Sequence, residues 1–350
     1  MNRFLITAAM ASLTIAATPG AAGAQSVAEF FKGKTVEIRV GHGAGGGYDL
    51  YTRVLARHMA GHLAGKPTMV VKNMPGAGGL KLAGFLAQGA ARDGTIFGLF
   101  DRGGVIEPLL GNKAAQFDAR KFNPIGSIGK QIATCAAWHK AKVLTIDAAL
   151  KSPLLVGGTG PSATTTYPAI LNAVLGTKFK IISGYKGSQE ILGAMEKGEV
   201  EGVCLSWPTL KAAKPDWVRD KFLVPLIQIS FARHPDLKDV PMLAEVVKDD
   251  DSRKMLTFFF APNEFGRPYF APPEVPADRV EALRRGFDAS MTDKGFLGDA
   301  TKAKMEVDPI TGEAMAKLID ELYATPKNLT DRVAKALEPF RGKKAKKKKK

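Results

Sequence analysis

The sequence contains little of what marks disulfide scaffolds, membrane-spanning chains or disordered chains. Only two of its 350 residues are cysteine, which excludes a small domain held together by several disulfides. After residue 24 there is no uncharged apolar run of about 20 residues, so no transmembrane helix is predicted in the body of the chain. Hydrophobic residues make up 45% and charged residues 24%, which are the proportions of a folded globular protein. The length predicts about two domains of roughly 150 residues each.

Acidic residues are also scarce, but the resulting positive charge is concentrated in a tail. The formal net charge is +16, and residues 341–350 (RGKKAKKKKK) hold eight basic and no acidic residues. Without these and Arg3, 41 basic residues face 34 acidic ones over a long body. No nucleic-acid partner is therefore predicted. The tail is expected to be disordered, and contact with anionic phospholipid is the alternative.

The first 24 residues have the pattern of a signal peptide. Arg3 lies in a short charged region, residues 4–17 form an apolar run, and Ala22-Gly23-Ala24 supplies the small residues that signal peptidase requires. We expect an exported protein that starts near Gln25. No cysteine follows the leader to carry a lipid anchor.

The two cysteines lie in strand-like segments. Cys135 is in IATCAAWH and Cys204 is in VEGVCLSW. In an oxidising compartment such a pair forms either a disulfide or two separate buried thiols. A catalytic role is disfavoured.

Short β-branched segments alternate with helical ones, which indicates βαβ units and parallel sheets. The fold class predicted is therefore α/β with two modules. In the first module, strands are predicted at 35–40, 68–71 and 95–100, with helices at 50–64 and 79–88. In the second module, strands are predicted at 154–158, 178–183, 200–206 and 222–229, with helices at 166–175 and 188–197.

The remaining segments connect or cover these modules. One long strand over 123–139 is expected to cross between them, and 222–229 is a candidate return crossing. Helices at 240–248, 277–291, 294–305 and 311–336 are expected to pack on the first module, with Asp278 and Thr311 as helix N-caps. The Pro-rich residues 268–276 are expected to be a connector. The first lobe is thus predicted at 25–122 and 230–340, and the second at 123–229.

A glycine-rich turn, GHGAGG at 41–46, lies between a predicted strand and a predicted helix. It fits the GxGxxG pattern of dinucleotide-binding folds, but residues 61–73 lack the acidic residue that binds the ribose. No Gly-Lys-Ser/Thr follows, which excludes a P-loop. The turn instead suits an anion, because glycines admit close approach and the helix N-terminus presents free N–H groups. A purely structural turn is the alternative, with Asp49 as a helix cap.

Two more turns of the same kind follow. The segment 157–166 is rich in glycine and hydroxyl groups, and 183–188 (SGYKGS) again joins a strand to a helix. In open α/β sheets, ligands bind at the carboxyl ends of strands. The three turns are therefore expected to share one site, although Ser and Thr in such turns also serve as caps.

Catalytic and metal motifs are missing. There is no GxSxG motif, and the five histidines show no triad-like context. His58 and His62 have the i, i+4 spacing of metal ligands, but Met59 stands where a zincin has glutamate. Neither a metal nor another cofactor is predicted. An exported enzyme acting on a small carboxylate remains the alternative to a binding protein.

Several segments together resemble a known family. They are GHGAGGGYDLYTRVLARHM, VVKNMPGAGGLKLAGFLAQ, ARDGTIFGLF, SGYKGSQEILGAMEKGEVEG, DVPMLAEV and PADRVEALRRGFDASM. In these segments the chain resembles the solute-binding receptors of tripartite tricarboxylate transporters, also called Bug-type receptors. The resemblance covers nearly all of residues 30–338.

The resemblance implies a type II periplasmic-binding-protein (Venus flytrap) fold, in which two lobes close on a small molecule, commonly a carboxylate. A monomeric periplasmic receptor that delivers its ligand to a membrane permease would follow, and a ligand sensor without transport is the alternative. The cleft is expected to be uncharged, with backbone amides and hydroxyls as donors. Its ligand-binding residues would be Gly43, Ala44, Gly45, Gly46, Tyr48 and Asp49 in the first lobe, and Thr159, Gly160, Ser162, Thr164 and Tyr185 in the second. His42, Tyr48, Pro161 and the stretch 264–275 depart from the common family pattern.

Overall fold

The computed structural model describes residues 26–160 and 162–338. The predicted signal peptide, Pro161 and the lysine-rich tail lie outside the described residues. Among the helices of the described part, none combines the length and the hydropathy that a membrane span requires.

The strands of the described residues form two separate sheets. In chain order they are β1 (Thr35–Val40), β2 (Thr68–Asn73), β3 (Ile96–Leu99), β4 (Asn123–Ser127), β5 (Ala133–Trp138), β6 (Leu154–Gly158), β7 (Phe179–Ser183), β8 (Gly202–Ser206), β9 (Leu223–Ile229), β10 (Pro268–Ala271) and β11 (Ile310–Thr311).

Helices connect and cover these strands. They are α1 (Val27–Phe31), α2 (Gly47–His62), α3 (Leu80–Gln88), α4 (Ile146–Lys151), α5 (Ala163–Leu175), α6 (Ser188–Glu196), α7 (Trp207–Ala213), α8 (Pro215–Arg219), α9 (Leu243–Val246), α10 (Asp250–Phe260), α11 (Ala277–Thr292), α12 (Lys294–Lys302), α13 (Gly312–Tyr323) and α14 (Lys327–Leu337).

The first lobe is built around a six-stranded sheet with the order β11-β4-β10-β3-β1-β2. β1 pairs in parallel with β2 and β3, while β10 runs antiparallel to β3 and β4. Val36, Ile38 and Val40 are fully buried on β1, in one core with Leu55 and Met59 of α2. This packing fixes α2 on the sheet and directs its N-terminus toward the carboxyl end of β1.

The second lobe is built around a five-stranded sheet with the order β7-β6-β8-β5-β9. β6 is parallel to β7 and β8, and β5 is antiparallel to β8 and β9. The predicted α/β class with two modules is therefore confirmed.

The chain crosses between the sheets differently from the prediction. The single strand expected over 123–139 is wrong: β4 pairs in the first sheet and β5 in the second, with residues 128–132 between them. Each of the two strands is an interior strand of its own sheet, β4 between β11 and β10 and β5 between β8 and β9. The predicted second lobe, 123–229, thus begins with a strand of the first sheet.

The Pro-rich segment 268–276 is more than a connector, because it begins with β10 in the interior of the first sheet. Phe270 is fully buried and lies opposite Gly98 and Pro124. Pro268 is the first residue of the strand, where a missing N–H group is tolerated. The aromatic pair Tyr269-Phe270 supplies buried surface that outweighs the unfavourable composition of the segment.

The C-terminal helices also differ in part. Thr311 caps α13, as predicted, and its hydroxyl accepts a hydrogen bond from the amide of Ala314. Asp278 was predicted as a cap but lies within the first turn of α11, whose N-cap is Pro276. The helix predicted over 311–336 is two helices, with Pro326 as the N-cap of the second.

These last two helices rest on different lobes. α13 packs on β4 of the first sheet, whereas α14 packs on α5 of the second lobe and on α10. The expectation that the whole terminal block covers the first module is therefore wrong for α14.

The two cysteines lie directly opposite each other on neighbouring strands of the second sheet. Cys135 of β5 is in register with Cys204 of β8, and their Sγ atoms form a disulfide that closes a separation of 69 residues. Both side chains are buried.

Candidate functional site

Three strand-to-helix turns converge on one cavity between the lobes. The turn from β1 to α2 comes from the first lobe, and the turns from β6 to α5 and from β7 to α6 come from the second. The cavity has a volume of about 60 Å³, which is room for roughly four water molecules. The cavity is partly open to solvent, and the free N–H groups of three helix N-termini surround it.

The first turn forms one wall of the cavity. Gly43, Gly46, Gly47 and Tyr48 line it, and Gly46 is the N-cap of α2. A Cβ atom on Gly47 would lie 2.4 Å from Oγ1 of Thr209, a residue of α7 in the second lobe. Glycine is therefore required here for the lobes to approach each other.

Ala44 and Gly45, predicted to bind the ligand, are not among the residues that line the cavity. Gly45 has a φ of +77°, in the left-handed region that favours glycine. Its carbonyl oxygen accepts a hydrogen bond of 3.2 Å from Nε2 of Gln189 on α6. Gly45 thus joins the two lobes at the rim of the cleft.

Asp49 holds the first turn in place. It is buried, and its carboxylate accepts hydrogen bonds from the Gly45 amide, from Nε of Arg53 and from Nδ2 of Asn73, at 2.8–2.9 Å. Burial opposes its ionisation, but these donors together hold the pKa of Asp49 below its usual value. Asp49 does not line the cavity and supports the turn from behind.

The second turn presents a cluster of hydroxyl groups to the cavity. Thr159, Ser162 and Thr164 all line it. Oγ1 of Thr159 lies 2.5 Å from Oγ of Ser162 and 2.9 Å from Oγ1 of Thr164. Gly160 lies outside the lining, with a φ of +88° that permits the turn. Three linked hydroxyls are able to reorient their protons and donate to an anion.

The third turn contributes residues other than the predicted tyrosine. Gly187 and Ser188, at the N-terminus of α6, line the cavity. Tyr185 instead packs beside the core of the second lobe, and burial raises the pKa of its hydroxyl, with Glu199 adding to the effect. The structure thus brings Gly187 and Ser188 of this turn to the cavity, whereas Tyr185 is not among its lining residues.

The expectation of an uncharged cleft is wrong. Asp101, Arg102 and Arg267 line the cavity, and each is less than a tenth exposed. Arg102 follows β3 at the same sheet edge as the first turn, and this position is the signal that could have identified it. Arg267 carries no such local signal, because it lies 226 residues from Gly41 in the sequence and enters the cleft only through the position of β10.

Arg102 donates a hydrogen bond to a neutral partner from each of its three guanidinium nitrogens. Its Nε donates to Oδ1 of Asn263 at 2.6 Å, and its terminal nitrogens donate to the hydroxyls of Tyr48 at 2.9 Å and Tyr167 at 2.7 Å. Burial disfavours the charged form, but Tyr167, Tyr48 and Asp101 together raise the pKa of the guanidinium. Arg102 thereby fixes Tyr48 in the wall of the cleft and ties the first lobe to Tyr167 of α5.

The rings of Tyr48 and His42 pack against each other at the base of the first turn, with their planes tilted by 31°. Their ring centroids are 4.6 Å apart, and burial raises the pKa of Tyr48 to about 12. Burial also lowers the pKa of His42, so its imidazole is neutral at neutral pH. Nδ1 of His42 is buried without a hydrogen-bond partner among the described residues.

His58 and His62 lie on α2 away from the cleft. His58 pairs with Asp299 of α12 at 3.1 Å, and His62 pairs with Asp293 at 3.4 Å. Within residues 26–160 and 162–338, no group of three His, Cys, Asp or Glu side chains is placed to hold a metal ion.

The comparisons with known proteins agree with this geometry. No family model matches the sequence. A curated relative from Cupriavidus necator, described as a UPF0065 protein in the gbd 5′ region, is 40% identical over 89 residues. The match covers 25% of each chain, so the chain spans about a quarter of the length of the curated relative it matches.

Solved structures match over most of the chain. The periplasmic binding protein BugD superposes with a TM-score of 0.69 at 22% identity, covering 88% of this chain and 97% of BugD. MatC from Rhodopseudomonas palustris, solved with bound malate, superposes with a TM-score of 0.68 at 20% identity, covering 86% and 99%. The resemblance found in the sequence motifs is thereby confirmed, and the chain has the two-lobed fold of the Bug-type periplasmic binding proteins.

Proposed function

We propose that this protein is a periplasmic solute-binding receptor that captures a small organic carboxylate between its lobes and delivers it to a permease of the tripartite tricarboxylate transporter type. The observation that carries the proposal is the convergence of three helix N-termini, with their hydroxyl groups, on one cavity between the lobes. MatC, which has a similar fold, was solved with bound malate, and malate belongs to this ligand class.

The first step is capture of the carboxylate. The amides at the start of α2, α5 and α6 have no partner within their own helices, and the helix dipoles add partial positive charge. The hydroxyls of Thr159, Ser162 and Thr164 supply further donors from the opposite wall. All of these donors are fixed by backbone packing before the ligand arrives, so binding requires little reorganisation.

The second step is closure. When Gly47 meets Thr209 and Gly45 meets Gln189, water leaves the cleft and each hydrogen bond to the ligand strengthens in the lower dielectric. Release requires the reverse movement. A permease that binds the receptor with its lobes closed and then stabilises the open arrangement would receive the ligand.

The proposal is tested by a thermal-shift screen of the chain without its first 24 residues against mono-, di- and tricarboxylates. A true ligand at about 100 times its dissociation constant stabilises the folded state by about 2.7 kcal/mol and raises the melting temperature. Isothermal titration should then give one site per chain. No shift with any carboxylate would overturn the proposed function.

The alternative of an exported enzyme is tested with the same ligand. NMR spectra of the carboxylate, incubated with the protein for hours and then recovered, should be unchanged if the protein only binds it. Appearance of a new product would favour the enzyme.

A further inference from the structure

We propose that Arg267 is the charged anchor of the cleft and binds a second anionic group of the ligand, so that the receptor selects dianions over monoanions of the same shape. The inference rests on the proposed function, because it concerns the same cleft. It adds a charge requirement that backbone amides and hydroxyls alone do not impose.

Arg267 is held rigidly where the two lobes meet. Only 4% of the residue is exposed, and it lines the cavity. Its guanidinium carbon lies 5.1 Å from the ring centroid of Tyr48 and 4.7 Å from that of Tyr51. One terminal nitrogen donates across the cleft to the hydroxyls of Ser206 at 3.1 Å and Thr209 at 3.2 Å. The side chain therefore has a defined position where the lobes are in contact.

The charge of Arg267 is not neutralised by the part of the chain that the structure describes. The acceptors of its side chain are Gln131, the carbonyl of Gly266 and the two hydroxyls, all of which are neutral. Between residues 26 and 338, Pro161 aside, no carboxylate lies within 4.0 Å of it, and its Nε atom is buried without a hydrogen-bond partner. A buried guanidinium in this state is costly unless an anion pairs with it.

Arg102 provides the contrast within the same cavity. Its Nε and both terminal nitrogens already donate to Asn263, Tyr48 and Tyr167. Of the described residues that line the cavity, Asp101 alone is negatively charged, so the two arginines leave the wall with a net positive charge. Each guanidinium nitrogen of Arg102 has a hydrogen-bond partner, whereas Nε of Arg267 has none among the described residues.

The position of this charge explains why two anionic groups are needed. The helix N-termini and hydroxyls bind one carboxylate, whereas Arg267 enters beside Ser206 and Thr209 from the start of β10. The cavity is small enough for one short molecule to contact both regions. A diacid satisfies both, while its monoamide places an uncharged group, with two N–H donors, against one of them.

The experiment compares short diacids with their monoamides by isothermal titration on the chain lacking residues 1–24. Malonate, succinate and malate are paired with the corresponding monoamides, and the diacid with the largest thermal shift is used for the variants. We expect the diacid to bind at least about 30-fold more tightly than its monoamide, because an unpaired buried charge costs this much or more.

Arg267→Gln should weaken diacid binding by a similar factor and change monoamide binding by much less. Arg267→Lys, which keeps the charge but loses the planar fork, should fall between Arg267→Gln and the unaltered protein. Arg285→Gln removes a charge from the exposed face of α11, where 69% of the side chain is exposed, and should leave both affinities unchanged.

Two results would overturn the inference while leaving the proposed function intact. One is equal affinity of the unaltered protein for a diacid and its monoamide. The other is a folded Arg267→Gln protein with unchanged diacid affinity. If Arg267→Gln does not fold, the ligand comparison on the unaltered protein decides the question. If no carboxylate binds at all, the proposed function fails, and the inference fails with it.

Discussion

Gly47 lies at a close approach of the two lobes within the cleft. Its φ is not in the left-handed region, so alanine is compatible with the first turn of α2. The new methyl group would nevertheless meet Oγ1 of Thr209 at 2.4 Å, and Thr209 is itself held by Arg267. A side chain at this position therefore opposes closure and not folding.

We expect Gly47→Ala to weaken carboxylate binding by about 1–3 kcal/mol, the usual cost of overpacking. The free energy of unfolding should stay equal or rise slightly, because alanine favours helix over glycine. Titration calorimetry and urea unfolding measure the two quantities separately. Gly61→Ala is the matched control, because a Cβ at this position of α2 meets nothing within 4 Å. Equal affinities of the two variants would show that the close approach at Gly47 is unimportant.

His42 makes the free energy of unfolding depend on pH. Burial lowers the pKa of its imidazole from the ordinary 6.5, and Arg102 and Arg267 add to this against the opposing charge of Asp101. The unfolded chain then takes up a proton at a higher pH than the folded chain does. Below the unfolded value of 6.5, the free energy of unfolding therefore falls as the pH falls, until the folded pKa is passed.

We expect His42→Asn to flatten the stability profile between about pH 7 and pH 5. Urea unfolding at several pH values measures the profile. His139→Asn, which changes a histidine of the second lobe outside the cleft, should retain the slope that His42 causes. A His42→Asn profile that parallels that of the unaltered protein would contradict the assignment.

Among the elements, β5 and β8 are joined most strongly, because the Cys135–Cys204 disulfide links residues that already face each other in the sheet. We expect the double variant Cys135→Ala/Cys204→Ala to lose about 2–5 kcal/mol of unfolding free energy. Urea denaturation with and without a reductant measures this loss. The reductant should destabilise the unaltered protein and leave the double variant unaffected. Insensitivity of the unaltered protein would mean that the bond does not form in solution.

The strands and helices that carry the cleft were largely predictable, because their signals are local. β1 and β6 were identified with their observed bounds, and the turns after them contain glycine or hydroxyl residues for reasons of backbone geometry. Six predicted ligand-binding residues line the cavity, namely Gly43, Gly46, Tyr48, Thr159, Ser162 and Thr164. Whether they contact the ligand stays a prediction.

The rest of the cleft depends on contacts that local patterns do not contain. β10 was not predicted, because prolines in and after it are typical of a loop. The helix α10 (Asp250–Phe260) was not predicted either. Arg267 follows from β10, so missing the strand meant missing the charge. Ala44, Gly45, Asp49, Gly160 and Tyr185 lie in or next to the three predicted turns but not in the cavity lining, because tertiary packing and not sequence spacing decides which residues of a turn face the cavity.

At the scale of the whole molecule, an ion pair links the two lobes in addition to the contacts within the cleft. Nζ of Lys211 on α7, in the second lobe, lies 2.8 Å from Oε1 of Glu306, whose amide donates to the hydroxyl of Tyr51 on α2. The side chains of Lys211 and Glu306 are 25% and 34% exposed. Partly exposed pairs of this kind contribute about 1 kcal/mol or less, and salt screens them.

We expect Glu306→Gln to speed ligand release up to about fivefold at low salt, with the difference disappearing at high salt. Stopped-flow measurements of ligand dissociation test this. Glu313→Gln is the control, because its partner Arg284 lies 2.7 Å away within the same lobe. If both variants release ligand at the same rate, the Lys211–Glu306 pair does not help to hold the lobes together.

The connection between α13 and α14 links the two lobes. α13 is fastened to one half of the protein and α14 to the other, so residues 324–326 form a strap across the moving parts. When the lobes separate, the backbone of residues 324–326 must change its conformation. Pro326 restricts that change, because its ring fixes φ. The fluorescence of a dye attached at position 325 should therefore change when ligand binds and when it is released, although Thr325 does not line the cavity.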